Sequence, residues 1–407
     1  MPSGSAQAGT GCRILAAGHS GVWLNKFARR SVIENCLISG AGFSGIYANG
    51  FMPGEGDFAR RYDQRVKGQA SYFVWINRSK ESLTLDVKHP EAKLILDRLL
   101  AKADVMVQNL APGAAARLGL SATALRAKNP RLIVCDISGY GSNGPYRDKK
   151  AYDLLIQSES GFVSITGTPD EPSKAGCSIA DIAAGMYAYT NILAALIERG
   201  RTGKGKGIDV SMLESMVEWM GYPLYYAFDR AAPPPRAGAA HATIYPYGPF
   251  PTGDARIVML GLQNEREWQV FCAKVLMQPA LAADPRFDSN ARRTAARDEL
   301  KRLIVAAFAS LTAEEVVKRL DDAQIANARV NTMLDVWEHP QLEARKRWVD
   351  VSTPAGPVPA LMPPGVPDAA HARMDAVPSL GQHTKALLAE LGYGEADIAR
   401  LEKEKAI

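Results

Sequence analysis

The sequence predicts an α/β protein in two parts. Between residues 83 and 137, short apolar runs alternate with helix-length amphipathic stretches, the rhythm of parallel βαβ units. A long apolar helical pattern at 176–199 leads through a glycine-rich turn to another strand-like run at 207–212. A break at 231–240, AAPPPRAGAA, then opens a region of different texture.

In chain order, 12–17 (CRILAA) reads as a first strand, and 38–52 carries no assignable periodicity. The run 53–57 (PGEGD) reads as a turn and 72–76 as an aromatic strand. A strand at 83–87 precedes a helix at 89–103 with Leu94, Ile95, Leu99 and Leu100 inward. A buried strand at 104–108, the turn 109–113, helices at 114–118 and 121–128 and a strand at 132–137 follow. The long helix places Ile182, Met186, Tyr189, Leu193 and Leu196 on one face and ends at Gly200. A strand at 207–212 and a helix at 213–228 complete the first part.

Beyond the break, 245–254 reads as turn chemistry and 257–262 as a strand, with helices near 264–276, 293–309 and 312–322. The stretch 327–331 crosses back, short strands lie in 345–368, and helices fill 384–391 and 395–405. The expected division is a large α/β domain from 1–225, a small domain at 226–325 and a return to the large one at 326–407.

Composition narrows the function. The 407 residues include 48 basic and 43 acidic ones, a formal charge of +5. That mild, dispersed excess argues against a nucleic-acid partner and suits small anions. Uninterrupted apolar runs long enough to cross a membrane are missing, so neither a membrane span nor a membrane partner is expected. The first residues do not resemble a signal peptide. Five scattered cysteines form no CxxC pair, which points to reduced thiols and a cytoplasmic location. The six histidines lie far apart, so no metal site is expected.

Two glycine-rich stretches imitate phosphate loops. The run 139–144 (GYGSNG) matches GxGxxG after a strand, but Pro145 and a polar run follow where a helix should begin. The run 200–207 (GRTGKGKG) leads from helix to strand, the reverse order, and Gly207 stands where a magnesium-binding hydroxyl belongs. Asp181 opens the long apolar helix. Spacing alone favours a helix cap over an ionised nucleophile, though a cap carboxylate stays ionised and so suits either role. Asp153, in AYDLLIQ and preceded by Tyr152, reads as an acid at a helix start.

Taken together, 139–153 (GYGSNGPYRDKKAYD), the helix opened by Asp181 and 203–215 (GKGKGIDVSMLES) resemble the family III CoA-transferases. That superfamily includes formyl-CoA and carnitine CoA-transferases and α-methylacyl-CoA racemases. Matching segments are PGEGD (53–57), NRSKESLTLD (77–86), ADVMVQNLAPGAAARLGL (103–120), YPYGPFPTGD (245–254), DPRF (284–287) and LGQHT (380–384). The resemblance implies a Rossmann-like large domain, a smaller α+β domain and two ring-shaped subunits interlocked as a homodimer. It implies that Asp181 is a nucleophile forming a mixed anhydride with an acyl group, with Tyr152 and Asp153 beside it. Lys80, Asn109, Leu110, Arg117 and Leu118 match positions that line CoA. Coenzyme A and acyl-CoA are then substrates, and no permanently bound cofactor is implied.

Racemases of this superfamily carry a G-H-D triplet where this chain has Ala151-Tyr152-Asp153, and no histidine lies between His89 and His241. A racemase needs a second proton donor, so the transferase branch is favoured. The alternatives are an acyl-CoA racemase or isomerase on the same fold and a catalytically silent CoA-binding paralogue. Two departures stand out. Residues 1–52 lack the family's opening pattern, as a shifted coding frame would produce. GAAHATIYPYG (238–248) replaces the glycine-rich flap of formyl-CoA transferases, which predicts an acceptor other than oxalate. Arg329 fits a clamp for a second acceptor carboxylate and fits a surface or interface arginine equally well.

Overall fold

The computed structural model describes Ile14–Ala17, Ile46–Asn49 and residues 56–407. The expected turn at 53–57 lies mostly outside the described residues, as does most of 38–52. The chain divides into two compact units. The first is Met1–Ser160, Cys177–Trp219 and Pro340–Ile407; the second is Gly161–Gly176 and Met220–His339.

The first unit is built on six parallel strands. They are β1 (Ile14–Ala17), β2 (Ile46–Asn49), β3 (Glu81–Thr84), β4 (Val105–Gln108), β5 (Ile133–Ser138) and β6 (Gly207–Ser211). Their order is β3-β2-β1-β4-β5-β6, with every pairing parallel. The crossovers run outward in one direction from β1 and in the other from β4, so the switch point lies between those two strands. All four residues of β4 are buried, as expected of a parallel strand covered on both faces.

The helices of this unit include α1 (Ser71–Asn77), α2 (Ala92–Lys102), α3 (Ala114–Arg117), α4 (Ala122–Lys128), α5 (Asp153–Glu159) and α7 (Ile179–Thr202). Between α5 and α7 the second unit contributes the single turn α6 (Phe162–Ile165). Two cores cover the sheet. Met106 and Val134 pack with Ile95 and Leu99 of α2 and with Leu387 and Leu401 near the C-terminus. Val105, Val107, Ile133 and Cys135 pack with Ala184, Ala188 and Ile192 of α7. Neighbouring strand residues thus serve opposite faces, the two-residue period of a strand.

Several expectations need correction. The aromatic run 72–76 is helix α1, not a strand. Asp63 accepts hydrogen bonds from Ser71 N–H (2.9 Å) and Ser71 Oγ–H (2.7 Å) at the helix start, while Phe73 and Asn77, one turn apart, are buried. Tertiary packing overrides the strand propensity of Tyr, Phe and Trp here. The long helix runs past Gly200 to Thr202. It ends at Gly203, whose positive φ lets its N–H reach Arg199 O at 2.8 Å. Its packed face is only in part the one expected: Tyr189 is buried and Leu193 and Leu196 lean on the same core, but the closest face is formed by alanines. The buried residues are Ala180, Ala183, Ala184, Ala188, Tyr189, Ile192 and Ala195, with Ile182, Met186, Leu193 and Leu196 half-buried. Alanines allow a close approach to the sheet, and a pattern read from large side chains misses them. Among the described residues α7 alone is long and apolar enough, by length and composition, to cross a membrane. Counting only uninterrupted apolar runs misses it.

The expected helix at 213–228 is broken into Met212–Trp219 and Gly221–Tyr226. In the second unit, β7 (Tyr247–Pro251), β8 (Ile257–Gly261) and β9 (Ala326–Arg329) form an antiparallel sheet in that order. The stretch read as turn chemistry is therefore largely β7. Its prolines are tolerated because β7 is an edge strand. The stretch read as crossing back supplies β9, and the first unit resumes at Pro340. Phe250, Trp268, Phe287, Leu300 and Phe308 fill this unit's own core.

Candidate active site

Asp181 stands in the first turn of α7, the helix that follows β5 and returns to β6. A helix in that position begins at the carboxyl edge of the sheet, where open parallel sheets bind ligands. The carboxylate does not cap the helix. Ser178 precedes the first turn without making a side-chain cap, and Asp153 performs that task from α5. Asp153 Oδ1 accepts from Ala180 N–H at 2.8 Å, and its Oδ2 accepts from Gln157 Nε2 at 2.7 Å. Gln157 is fully buried, so the pair is a fixed strut. Among the described residues the Asp181 carboxylate accepts no hydrogen bond and forms no ion pair.

Burial, and after it the charge of Asp153, raises Asp181 to about 6. The positive end of the α7 dipole opposes that shift. By surface area Asp181 is exposed, while the protein around it displaces water from its other sides. The shift follows from the crowded sides, and the open side leaves room for a substrate. Tyr152, just before α5 in extended backbone, is 66% exposed. It shares an electrostatic environment with Tyr62, which sequence reasoning missed. Burial, then the charges of Asp57 and Asp181, raise the Tyr62 phenol. Tyr62 meets Tyr72 edge-on at 5.3 Å. It lies in the polar run RRYDQR, where nothing marks it.

One glycine makes this corner possible. A Cβ on Gly139, at the end of β5, would stand 2.3 Å from the Ala151 Cβ. Only glycine lets the strand end and the 151–153 turn lie this close. Asp153 is thereby brought to the start of α7.

A second group follows β4. Leu110 and Leu118 pack on the core of the α2 face. Arg117 is exposed, with its Nη1 3.0 Å from where a Gly113 Cβ would stand. Asn109 Oδ1 is buried without a hydrogen-bond partner among the described residues. A buried acceptor left open costs stability unless a ligand or water donates to it.

Lys80 is not a surface lysine. It is 4% exposed, with Nζ 3.2 Å from Asn77 Oδ1. Burial holds its ammonium well below the ordinary lysine range, with Asp57 opposing and Arg78 adding to the shift. Arg329 ends β9 in the second unit, exposed and opposite Val258 in register. The structure thus gathers Asp181, Asp153 and Tyr152, sets Asn109 to Leu118 along one segment and buries Lys80 beside Asn77. Among the described residues no cluster of His, Cys, Asp and Glu could hold a metal ion.

The model of CoA-transferase family III matches residues 52–384. A succinate–glutarate CoA-transferase of Agrobacterium fabrum is 34% identical over 325 residues, which cover 79% of this chain and 81% of that protein. An acetyl-CoA:oxalate CoA-transferase of Acetobacter aceti is 35% identical over 314 residues, covering 75% and 79%. The crystal structure of a CAIB/BAIF family protein from Brucella suis matches with a TM-score of 0.75 at 29% identity, covering 95% of this chain and 100% of that one.

Proposed function

Because the chain belongs to CoA-transferase family III and transfers CoA between an acyl-CoA and a carboxylic acid, we propose that Asp181 is its nucleophile. The observation that carries this is the Asp181 carboxylate itself. It sits in the first turn of α7, relieved of capping by Asp153, raised to about 6 and open on one side. At neutral pH it is ionised yet poorly solvated, which favours attack.

The steps balance as follows. An Asp181 oxygen bonds to the thioester carbonyl carbon, the C–S bond breaks and CoA leaves as thiolate. The thiolate then attacks the Asp181 carbonyl of the mixed anhydride, releasing the donor acid and leaving an enzyme thioester. The acceptor carboxylate attacks that thioester carbon, again freeing the thiolate. The thiolate finally takes the acceptor's acyl group and restores the Asp181 carboxylate. Each anhydride divides one difficult exchange into easier ones. Tyr152 lines the approach, and Asp153 holds the helix start and tunes Asp181.

CoA itself runs along the segment after β4. The open acceptor of Asn109 meets an N–H of the ligand, the exposed Arg117 meets phosphate, and Leu110 and Leu118 supply apolar contact. Lys80 supports that site from within, near Asp57. The donor is a common thioester such as succinyl-CoA. The acceptor is a small dicarboxylate, consistent with the glutarate in a relative's name, and the exposed Arg329 is a cation suited to a carboxylate.

The strand order, with its switch between β1 and β4, supports a Rossmann-like large domain. Met333 and Leu334, 75% and 78% exposed, are apolar side chains suited to a homodimer interface. Free thiols at Cys135, Cys177 and Cys272 fit the cytoplasm.

The test is CoA exchange followed by mass across a panel of acyl-CoA donors and carboxylates, with the wild type and D181A. Exchange by the wild type alone, with a hydroxylamine-sensitive acyl adduct on Asp181, is the expected result. Exchange that survives D181A removes Asp181 as the nucleophile.

A further inference from the structure

Gln108 is the last residue of β4 and is 7% exposed. Both ends of its amide are used. Oε1 accepts from Leu110 N–H at 2.7 Å, and Nε2 donates to Asp136 Oδ1 at 2.7 Å. Asp136 is its register partner on β5, and Asp209 is the register partner of Asp136 on β6. Asp209 Oδ2 in turn accepts from Ser142 N–H at 3.0 Å and Ser142 Oγ–H at 2.6 Å. One row of polar side chains across β4, β5 and β6 therefore ties down two loops, the 109–113 turn and the glycine-rich run 139–144. Burial and the charge of Asp209 push Asp136 upward, while the Gln108 hydrogen bond pulls it down. The row lies on the sheet face opposite α7, since Met106 and Val134, two residues before Gln108 and Asp136, pack on the α2 side.

We propose that Gln108 is a positioning residue for the acyl-CoA substrate, its amide holding the turn so that Asn109 presents its open, buried acceptor to the ligand. This rests on the reading that Asn109 contacts CoA. Without the amide, Leu110 N–H and Asp136 both lose a partner, and the turn has no reason to hold one geometry. The chemistry at Asp181 is served by the other face of the sheet, so binding of acyl-CoA suffers and turnover does not.

The experiment measures kcat and KM for acyl-CoA and for the acceptor in the full-length enzyme, comparing wild type, Q108L, N109A and the exchange Q108E/D136N. Thermal melting checks that each is folded. Q108L is expected to raise KM for acyl-CoA about tenfold, with kcat and the acceptor KM within about twofold. In Q108E/D136N the new carboxylate accepts from Leu110 N–H and from the new amide, so KM returns to within about twofold of wild type. The exchange keeps the hydrogen bonds and carries the test even where Q108L does not fold. A folded N109A with unchanged KM removes the reading of the CoA site. A raised KM in N109A beside an unchanged KM in folded Q108L overturns the role of Gln108 alone. Failure of Q108E/D136N to restore KM, or a loss confined to kcat, overturns it as well.

Discussion

Asp153 and Ala180 are joined by a hydrogen bond of 2.8 Å from the Ala180 N–H to Oδ1, one residue ahead of Asp181. A single carboxylate thereby fixes the start of α7 and adds negative charge beside Asp181. The two roles separate by mutation. D153N keeps an oxygen for Ala180 and removes the charge, with the Gln157 amide turned so that its oxygen accepts from the new amide nitrogen, so the Asp181 pKa falls. In the proposed mechanism Asp181 acts ionised, hence kcat/KM is expected to decline as pH drops through about 6 in the wild type. In D153N this acid limb moves to lower pH. D153A also removes the cap and is expected to cost about 1 kcal/mol, read by denaturant unfolding. A pH–rate profile unchanged in D153N would refute the coupling.

The raised pKa of Asp181 also makes stability depend on pH. Its folded pKa, about 6, lies above its ordinary value of 3.8, so between these pH values the folded chain holds the proton more tightly than the unfolded one. Stability from this group is present at low pH and is lost as pH rises through about 6. D181N mimics the neutral form. It is expected to abolish CoA exchange, by about 10³-fold or more, yet to melt at a higher temperature than wild type above about pH 6. The gain should vanish toward pH 4, where both are neutral. A melting temperature below wild type at every pH contradicts this account.

The parallel sheet was legible in the sequence because a doubly covered strand such as β4 is a bare apolar run, which no amphipathic helix imitates. Helix α1 was illegible because Asp63 and the burial of Phe73, not local propensity, determine it. Asp181 drew attention as a carboxylate heading an apolar helix, yet the sequence could not show that Asp153, 28 positions earlier, takes over the capping. Tyr62 carried no local signal at all. Lys80 matched a motif, but its burial depends on how α1 and the chain near Asp57 fold over it.

Gly139 tests how closely this corner is fitted. In G139A the added Cβ falls 2.3 Å from the Ala151 Cβ, so the 151–153 turn must move and carry Asp153 with it. Displacements of this size cost catalysis about 10²-fold. A151G removes the opposing Cβ. The double variant G139A/A151G should therefore recover most of the lost kcat, where two independent losses would add. Equal activity of the single and double variants would show that the contact is irrelevant. A partial thermal loss in G139A that the second change reverses would place the strain at this contact.

The proposed role of Arg329 in recognising a second carboxylate has its own test. It is exposed at the end of β9 and makes no ion pair among the described residues, so its charge is available. An arginine paired with one carboxylate contributes about 1.5–3 kcal/mol, which is roughly 10- to 100-fold in affinity. R329A is thus expected to raise KM for a dicarboxylic acceptor by such a factor while leaving KM for a monocarboxylate and for acyl-CoA unchanged. R329K should recover only part of the loss, since a lysine cannot offer two parallel donors. The comparison isolates recognition of the second carboxylate, because the two acceptor classes share the same reacting carboxylate. Equal changes for the two acceptor classes would assign Arg329 to structure and leave the selectivity to other residues.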